Sequence, residues 1–191
     1  MFRALLDTAS DPRPLRSSMA TATELIRAYL QDAIAAEKNF ESQLRDFAKE
    51  GDDPVAQSLF SQHADETRIQ YDRLQARLNA LGGTPSGLKS MLAHMLGMLP
   101  KAAQVGHEKE ERTVQNLMMA YTVECSETAM YEALATVARQ AGDLETETLA
   151  RSIQDEERTT GDKIWQHLPV ASRVAYNRIV GDATEHYRRA S

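Results

Sequence analysis

The stretch ECSETAMYEAL, residues 124–134, decides how this chain is read. It lies within an apolar stripe stepping by three and four: Val114, Leu117, Tyr121, Thr128, Tyr131, Ala135 and Ala138. That step is the period of one helix face. The stripe is continuous only if Glu124 fills the place between Tyr121 and Thr128. Glu127, one turn on, stands at the edge of the same face, where it reads as a terminal ligand or as a solvated neighbour. An unpartnered carboxylate in a core seam is costly, or it stays protonated. A metal, a cation or a hydrogen-bond network has to compensate for Glu124, and the remaining helices are where its partners must come from.

Each of those helices repeats the anomaly. A first helix begins at Thr21, with Thr21 and Glu24 forming a capping box, and stops near Glu50 before Gly51. Its stripe is Ile26, Leu30, Ala33, Glu37, Phe40, Leu44 and Phe47. Asp53-Pro54 opens a second helix as N-cap and first-turn proline, and Gly82-Gly83 ends it. Its stripe is Leu59, His63, Glu66, Gln70, Leu74, Leu78 and Leu81. The third helix, the one carrying Glu124, starts between Gly106 and Glu110 and ends at Gly142. Asp143 caps a fourth, with Leu149, Ile153, Glu156, Thr160, Ile164 and His167 in its stripe and Pro169 as its end.

The rest of the chain is subordinate to these four. Residues 1–20, with two prolines in DPRPLRSS, read as an N-terminal arm whose Phe2, Leu5 and Leu6 are free to dock on a partner. Residues 84–106 read as a crossover containing a short amphipathic helix (Leu88, Met91, Leu92, Met95, Leu96, Leu99), with the methionines as gap fillers. His94 and His107 flank it outside any ligand-like cluster. Residues 169–191 read as a C-terminal fifth helix, packed outside the bundle or at a subunit contact. The fold expected is therefore all-α: an antiparallel four-helix bundle over residues 21–168 with a long crossover.

Composition narrows the function. The chain has 191 residues, 42% hydrophobic and 26% charged, which suits one globular domain with a proper core. A net charge of −6 argues against nucleic acid or an anionic membrane as partner. No apolar run approaches the roughly 18 residues of a membrane span, and the N-terminal apolar patch is too short for a signal peptide. One cysteine, Cys125, excludes an intrachain disulfide and a cysteine-cluster metal site and fits a reducing cytoplasm. Cys125 itself reads as a small inert hydrophobe, and Trp165 with Ile164 and Leu168 as core at the end of the bundle.

Glu37 and Glu66 lie at similar distances from the first hairpin turn, and Glu124 and Glu156 flank the second, so the four carboxylates fall near mid-bundle. Four carboxylates in a dry core repel one another. Multiply charged cations resolve that, and paired irons or manganeses bridged by carboxylates are the usual answer in a helical bundle.

At this point the chain resembles the ferritin-like superfamily, and locally its YciF-type stress-associated bacterial branch. The resemblance is carried by Ala36-Glu37-Lys38-Asn39, by HADET (residues 63–67) with Arg68-Ile69-Gln70, by Glu124-Cys125-Ser126-Glu127-Thr128-Ala129-Met130-Tyr131, and by Asp155-Glu156-Glu157-Arg158. It spans roughly residues 22–168. It implies a two-metal centre, of iron or else manganese, and a role in stress response or in handling iron and peroxide. The candidate ligands are Glu37, His63, Glu66, Glu124, Glu127 and Glu156.

The chain departs from the common pattern of that superfamily. Ile69 and Thr159 stand where Glu-x-x-His motifs place histidines, and Cys125 follows Glu124. The set is carboxylate-rich, and His63, Gln70, Glu127 or Glu157 would have to complete it. Tyr29, Tyr121 and Tyr131 near the seam read as core aromatics, with a redox role beside a metal as the alternative. Two functions follow: a metal-binding ferritin-like protein, with enzymatic activity left open, or a non-catalytic bundle whose metal-free polar layer sets register for dimerisation or protein binding. A homodimer or small homo-oligomer is expected; storage in a hollow shell finds no specific support.

Overall fold

The computed structural model describes the backbone of residues 14–84 and 111–190 and the side chains of residues 21–84 and 111–181. Among the described residues four helices make up the fold: α1 (Pro14–Glu50), α2 (Pro54–Ala80), α3 (Arg112–Ala141) and α4 (Leu144–Ala190). There is no strand among the described residues. None of these helices is long and apolar enough to cross a membrane.

Short, well-capped turns make two hairpins. Asp53 caps α2 by accepting from the backbone N–H groups of Val55 (2.9 Å) and Ala56 (3.1 Å), with Pro54 in the first turn. At the far end of α3, Gly142 takes a left-handed φ of 75°, a conformation open to glycine at little cost. The following N–H, of Asp143, then donates to Ala138 O at 2.9 Å. The Asp143 carboxylate at once caps α4, accepting from Thr146 N at 3.0 Å.

The hairpins pack α1 on α2 and α3 on α4, and they meet through α1 against α3 and α2 against α4. Side-chain pairs set the register. Glu37 meets Tyr131 while Glu50 meets Asn116, so α1 and α3 run antiparallel. Arg77 meets Thr146 while Glu66 meets Thr160, so α2 and α4 do as well. The end of α2 lies near Arg27 of α1, which donates to Leu81 O at 2.8 Å. Thr113, at the start of α3, lies beside Gly51 at the opposite end of the bundle. The two hairpins are thus related as a long crossover requires. The short helix expected within residues 84–106, with His94 and His107, falls outside the described residues, as does most of the N-terminal arm.

Two apolar clusters fill the interior. One gathers Ile26, Leu30, Leu74, Leu78, Leu134 and Ile153, the other Phe40, Leu44, Phe47, Phe60, Leu117 and Ile164. Between them lies a polar layer, described below.

Two helix boundaries differ from the sequence reading. α1 begins at Pro14, so Thr21 and Glu24 lie inside the helix and form no capping box at its start. Proline suits a first helical turn, whose N–H groups have no intrahelical acceptor. Pro169 does not end the fourth helix either: α4 runs through it to Ala190, and the expected fifth helix is its continuation. An interior proline removes one backbone hydrogen bond. Here the freed carbonyl is that of Trp165, a residue 56% exposed. Beyond the proline, Ala171 and Ala175 are buried. His167 and Arg178 reach Asp53 and Asp52 at the α1–α2 turn. These contacts hold the extension in line.

Candidate metal centre

Midway along the bundle, each helix turns polar side chains into the seam. α1 contributes Glu37, α2 His63, α3 both Glu124 and Glu127 one turn apart, and α4 Glu157. All five are at most 2% exposed. The ligand-capable atoms of His63, Glu124 and Glu157 lie within 4.8 Å of one another, and so do those of Glu37, Glu127 and Glu157. The two groups share Glu157. His63 Nε2 stands 2.7 Å from Glu124 Oε1 and 3.9 Å from Glu157 Oε2.

Most of this polarity has no partner in the protein. Both oxygens of Glu124, Glu127 and Glu157, one oxygen of Glu37 and both ring nitrogens of His63 are buried without a hydrogen bond. His63 and Glu124 make a close charge contact. The remaining Glu37 oxygen, Oε1, accepts from the buried Tyr131 hydroxyl. Buried polar atoms are paired in the great majority of cases, and a concentration of orphans calls for an explanation.

Burial and mutual repulsion dominate the electrostatics. Burial pushes the Glu37 carboxyl up to about 8, against the opposing pull of the Tyr131 hydroxyl and His63. Burial, with the neighbouring carboxylates, holds Glu127 and Glu157 well above the usual carboxylate range. For His63 burial alone would favour the neutral ring, but the Glu124 charge beside it prevails and raises it to about 9.

Not every expected residue joins the cluster. Glu37, His63, Glu124 and Glu127 are brought together, and Glu127 is fully buried where the stripe had put it at an edge. Glu66 is peripheral: its side chain is 45% exposed, with Oε2 3.7 Å from His63 Nδ1. Glu156 points away from the cluster. It accepts from Arg73 Nη1 at 2.8 Å and from the amide of Gln70 at 3.2 Å on the α2–α4 face. Its neighbour Glu157 takes the interior position.

Both displacements come from the phase of a stripe. On α4 the series Thr146, Ala150, Ile153, Glu157, Thr160 and Ile164 is buried, with Gln154 and Gly161 beside it. Following Leu149 leads to Glu156 a heptad on; following Ala150 leads to Glu157. On α2 the buried series runs Phe60, His63, Thr67, Gln70 and Leu74, passing Glu66 by. Small residues mark the closest helix contacts, and a reading weighted by hydrophobicity overlooks them. One further expectation is corrected: Trp165, read as core at the end of the bundle, packs its ring on Tyr121, with centroids 5.1 Å apart, at the surface. Cys125 is exposed, off the seam.

Comparison with known proteins agrees with this architecture. The family described as a domain of unknown function, DUF892, matches residues 21–176. Protein YciF of Escherichia coli K12 is 26% identical over 150 residues, covering 77% of this chain and 90% of that protein. The crystal structure of that stress protein superposes with a TM-score of 0.66 at 24% identity, over 83% of this chain and 96% of the other. A Xanthomonas campestris protein gives a TM-score of 0.69 at 24% identity, over 83% and 97%. A dodecameric thioferritin from Bacteroides fragilis gives 0.63 at 16% identity, over 83% and 95%.

Proposed function

The chain belongs to the DUF892 family, the YciF-type branch of the ferritin-like proteins, and from that premise we propose that its buried layer is a dinuclear metal centre. One observation carries the reading: two three-residue ligand groups, drawn from all four helices, share Glu157 and leave nearly all their ligand atoms unpartnered. Glu157 belongs to both groups; with it, His63 and Glu124 would hold one ion, and Glu37 and Glu127 the other. Charge supports the stoichiometry, because four carboxylates balance two divalent cations. The donor set is oxygen-rich with one imidazole and no thiolate, which suits iron or manganese better than a sulfur-favouring ion. When bound, iron would supply redox chemistry toward oxygen or peroxide, in keeping with a stress role. The chain's own contributions are a set of buried ligand side chains and the Tyr131 hydroxyl that orients Glu37. Glu66 lies outside the ligand set and orients His63 through its Nδ1 side.

The exposed apolar residues Val170, Val174, Tyr176 and Val180 on the α4 extension support assembly as a homodimer or small homo-oligomer. The lone exposed cysteine suits a cytoplasmic setting.

A second reading has its own support. The raised carboxyls and the Tyr131–Glu37 bond would let the layer persist protonated, as a metal-free device for helix register. Elemental analysis after anaerobic loading with Fe²⁺ or Mn²⁺ separates the two. The metal reading expects two ions per chain and, in Glu124→Ala, loss of the ion that His63 and Glu124 would hold. Protein that takes up none, with Glu124→Ala neutral or stabilising, overturns it.

A further inference from the structure

Five buried ligands need a way in. An open cleft of about 370 Å³ lies between α3 and α4, lined by Tyr121, Glu124, Cys125, Thr128, Glu157, Arg158, Gly161 and Asp162. Two of these, Glu124 and Glu157, belong to the cluster. Both are buried, with carboxylate oxygens that have no partner. We propose that this cleft is the route by which a hydrated divalent cation reaches the buried carboxylates, and that Glu124 and Glu157 receive it first. The inference rests on the metal-centre reading and adds to it the path and the residues that control it.

Three observations carry the assignment. The first is capacity. Six waters at about 30 Å³ each come to roughly 180 Å³, so the cleft has room for a hydrated cation beside the two carboxylates. The second is Gly161. A glycine within a helix weakens it. Here a Cβ would stand 3.4 Å from Glu124 Cβ and 3.9 Å from the Tyr121 ring, so any larger side chain would project into the cleft beside the carboxylate. The third is the alternative. A groove of about 350 Å³ between α2 and α4 is lined by Glu66, Ser152, Asp155, Glu156, Thr159, Thr160 and Lys163. None of the five clustered residues lines it, so a cation held there would meet none of the unpartnered ligand atoms.

Cys125 makes the route testable. It is exposed in the cleft wall, next in sequence to Glu124, and it is the chain's single cysteine. Bulk attached to its sulfur should therefore obstruct this cleft and nothing else. The experiment follows Co²⁺ uptake by visible absorbance in the full chain, before and after modification with a bulky aromatic methanethiosulfonate, with helical content checked by circular dichroism. Uptake at least about tenfold slower is expected, with unchanged final stoichiometry and full recovery on reduction. Cys125→Ser given the same treatment should load at the normal rate. Gly161→Val, which blocks the cleft without a label, should slow loading in the same way and decides the matter if the label disturbs folding. Loading at the normal rate in both blocked forms overturns the route, and slowing by Glu66→Ala alone would move it to the α2–α4 groove. Unmodified protein that binds no Co²⁺ at equilibrium overturns the metal centre itself, and the route with it.

Discussion

Two polar clusters are built into this bundle, and they are finished differently. Near the α3–α4 turn, Arg77 of α2 donates from Nε to Thr146 Oγ1 at 2.7 Å and from Nη2 to Asp143 Oδ1 at 2.6 Å. Its third nitrogen pairs with Glu145. Asp143 also caps α4 and accepts from the Thr146 hydroxyl at 2.6 Å. Cation, anion and hydroxyl are matched, with the arginine fork filling its own acceptors. At mid-bundle, four carboxylates and one imidazole meet with most of their atoms unmatched. The same scaffold thus completes a polar network where the need is structural, and leaves one incomplete where the missing partner would come from solution. An incomplete buried network is the more expensive of the two.

The sharpest way to break this comparison is to remove the shared residue. Glu157→Ala takes a ligand from both subsites, and metal affinity should fall by more than the roughly 10- to 100-fold typical of losing an outer partner. Isothermal titration with Mn²⁺ measures it. Glu156→Ala, one position away, should leave the stoichiometry at two. Equal losses in both variants would remove the distinction drawn from the α4 phase.

Metal should also stabilise the fold. Ligand at about a thousand times its dissociation constant adds about 4 kcal/mol, read as a rise in melting temperature that the Glu157→Ala variant lacks. By contrast, Arg77→Ala should cost about 3 kcal/mol with or without metal, since it strands the largely buried Asp143 carboxylate. Chemical denaturation of both forms checks that independence.

The clusters should tilt stability in opposite directions with pH. Glu37 is raised from its ordinary 4.5 to about 8, and His63 from 6.5 to about 9. For both, the folded protein holds protons more tightly than the unfolded chain. Their stabilisation is complete below pH 4.5 and 6.5 respectively and is lost as pH rises through about 8 and 9. Asp143 is opposite. Burial works against it, but the Arg77 and Thr146 hydrogen bonds prevail and hold it below its ordinary 3.8. Its contribution is present above that value and is lost as pH falls further. Thermal melts of metal-free protein should therefore decline on the alkaline side, and bound metal should flatten that decline by displacing the protons. A decline that metal leaves unchanged would detach it from the mid-bundle cluster.

The smallest effect belongs to Arg73 and Glu156, 2.8 Å apart and about one third exposed. Breaking this pair with Arg73→Ala should cost no more than about 1 kcal/mol, as a double-mutant cycle with Glu156→Ala would measure.

Much of this was legible without coordinates. Every stripe position read on α1, from Ile26 to Phe47, is buried. Large side chains at that spacing leave one solution for which face turns inward. The Asp53-Pro54 and Gly142-Asp143 turns were equally clear, because capping and left-handed glycine are local chemistry. That carboxylates should meet at mid-bundle followed from the repetition of one anomaly across four helices, and membership of the YciF-type family agrees with the fold so derived.

What sequence left open was settled by contact. Adjacent helix residues differ by about 100° in direction, and a pair such as Glu156-Glu157 offers either member to the interior. Local pattern favoured the heptad that starts at Leu149. Packing against α3 selected Ala150 and Gly161, whose small size lets the helices approach, and so turned Glu157 inward and left Glu156 to Arg73. The same logic buried Thr67 and exposed Glu66. Pro169 ends a helix by local rules, yet the burial of Ala171 and Ala175 and the anchors at Asp52 and Asp53 carry α4 past it. Periodicity therefore determined that a polar layer exists and on which helices. Only the close approach of one helix to the next decided that Glu157 belongs to it and that Glu156 and Glu66 do not.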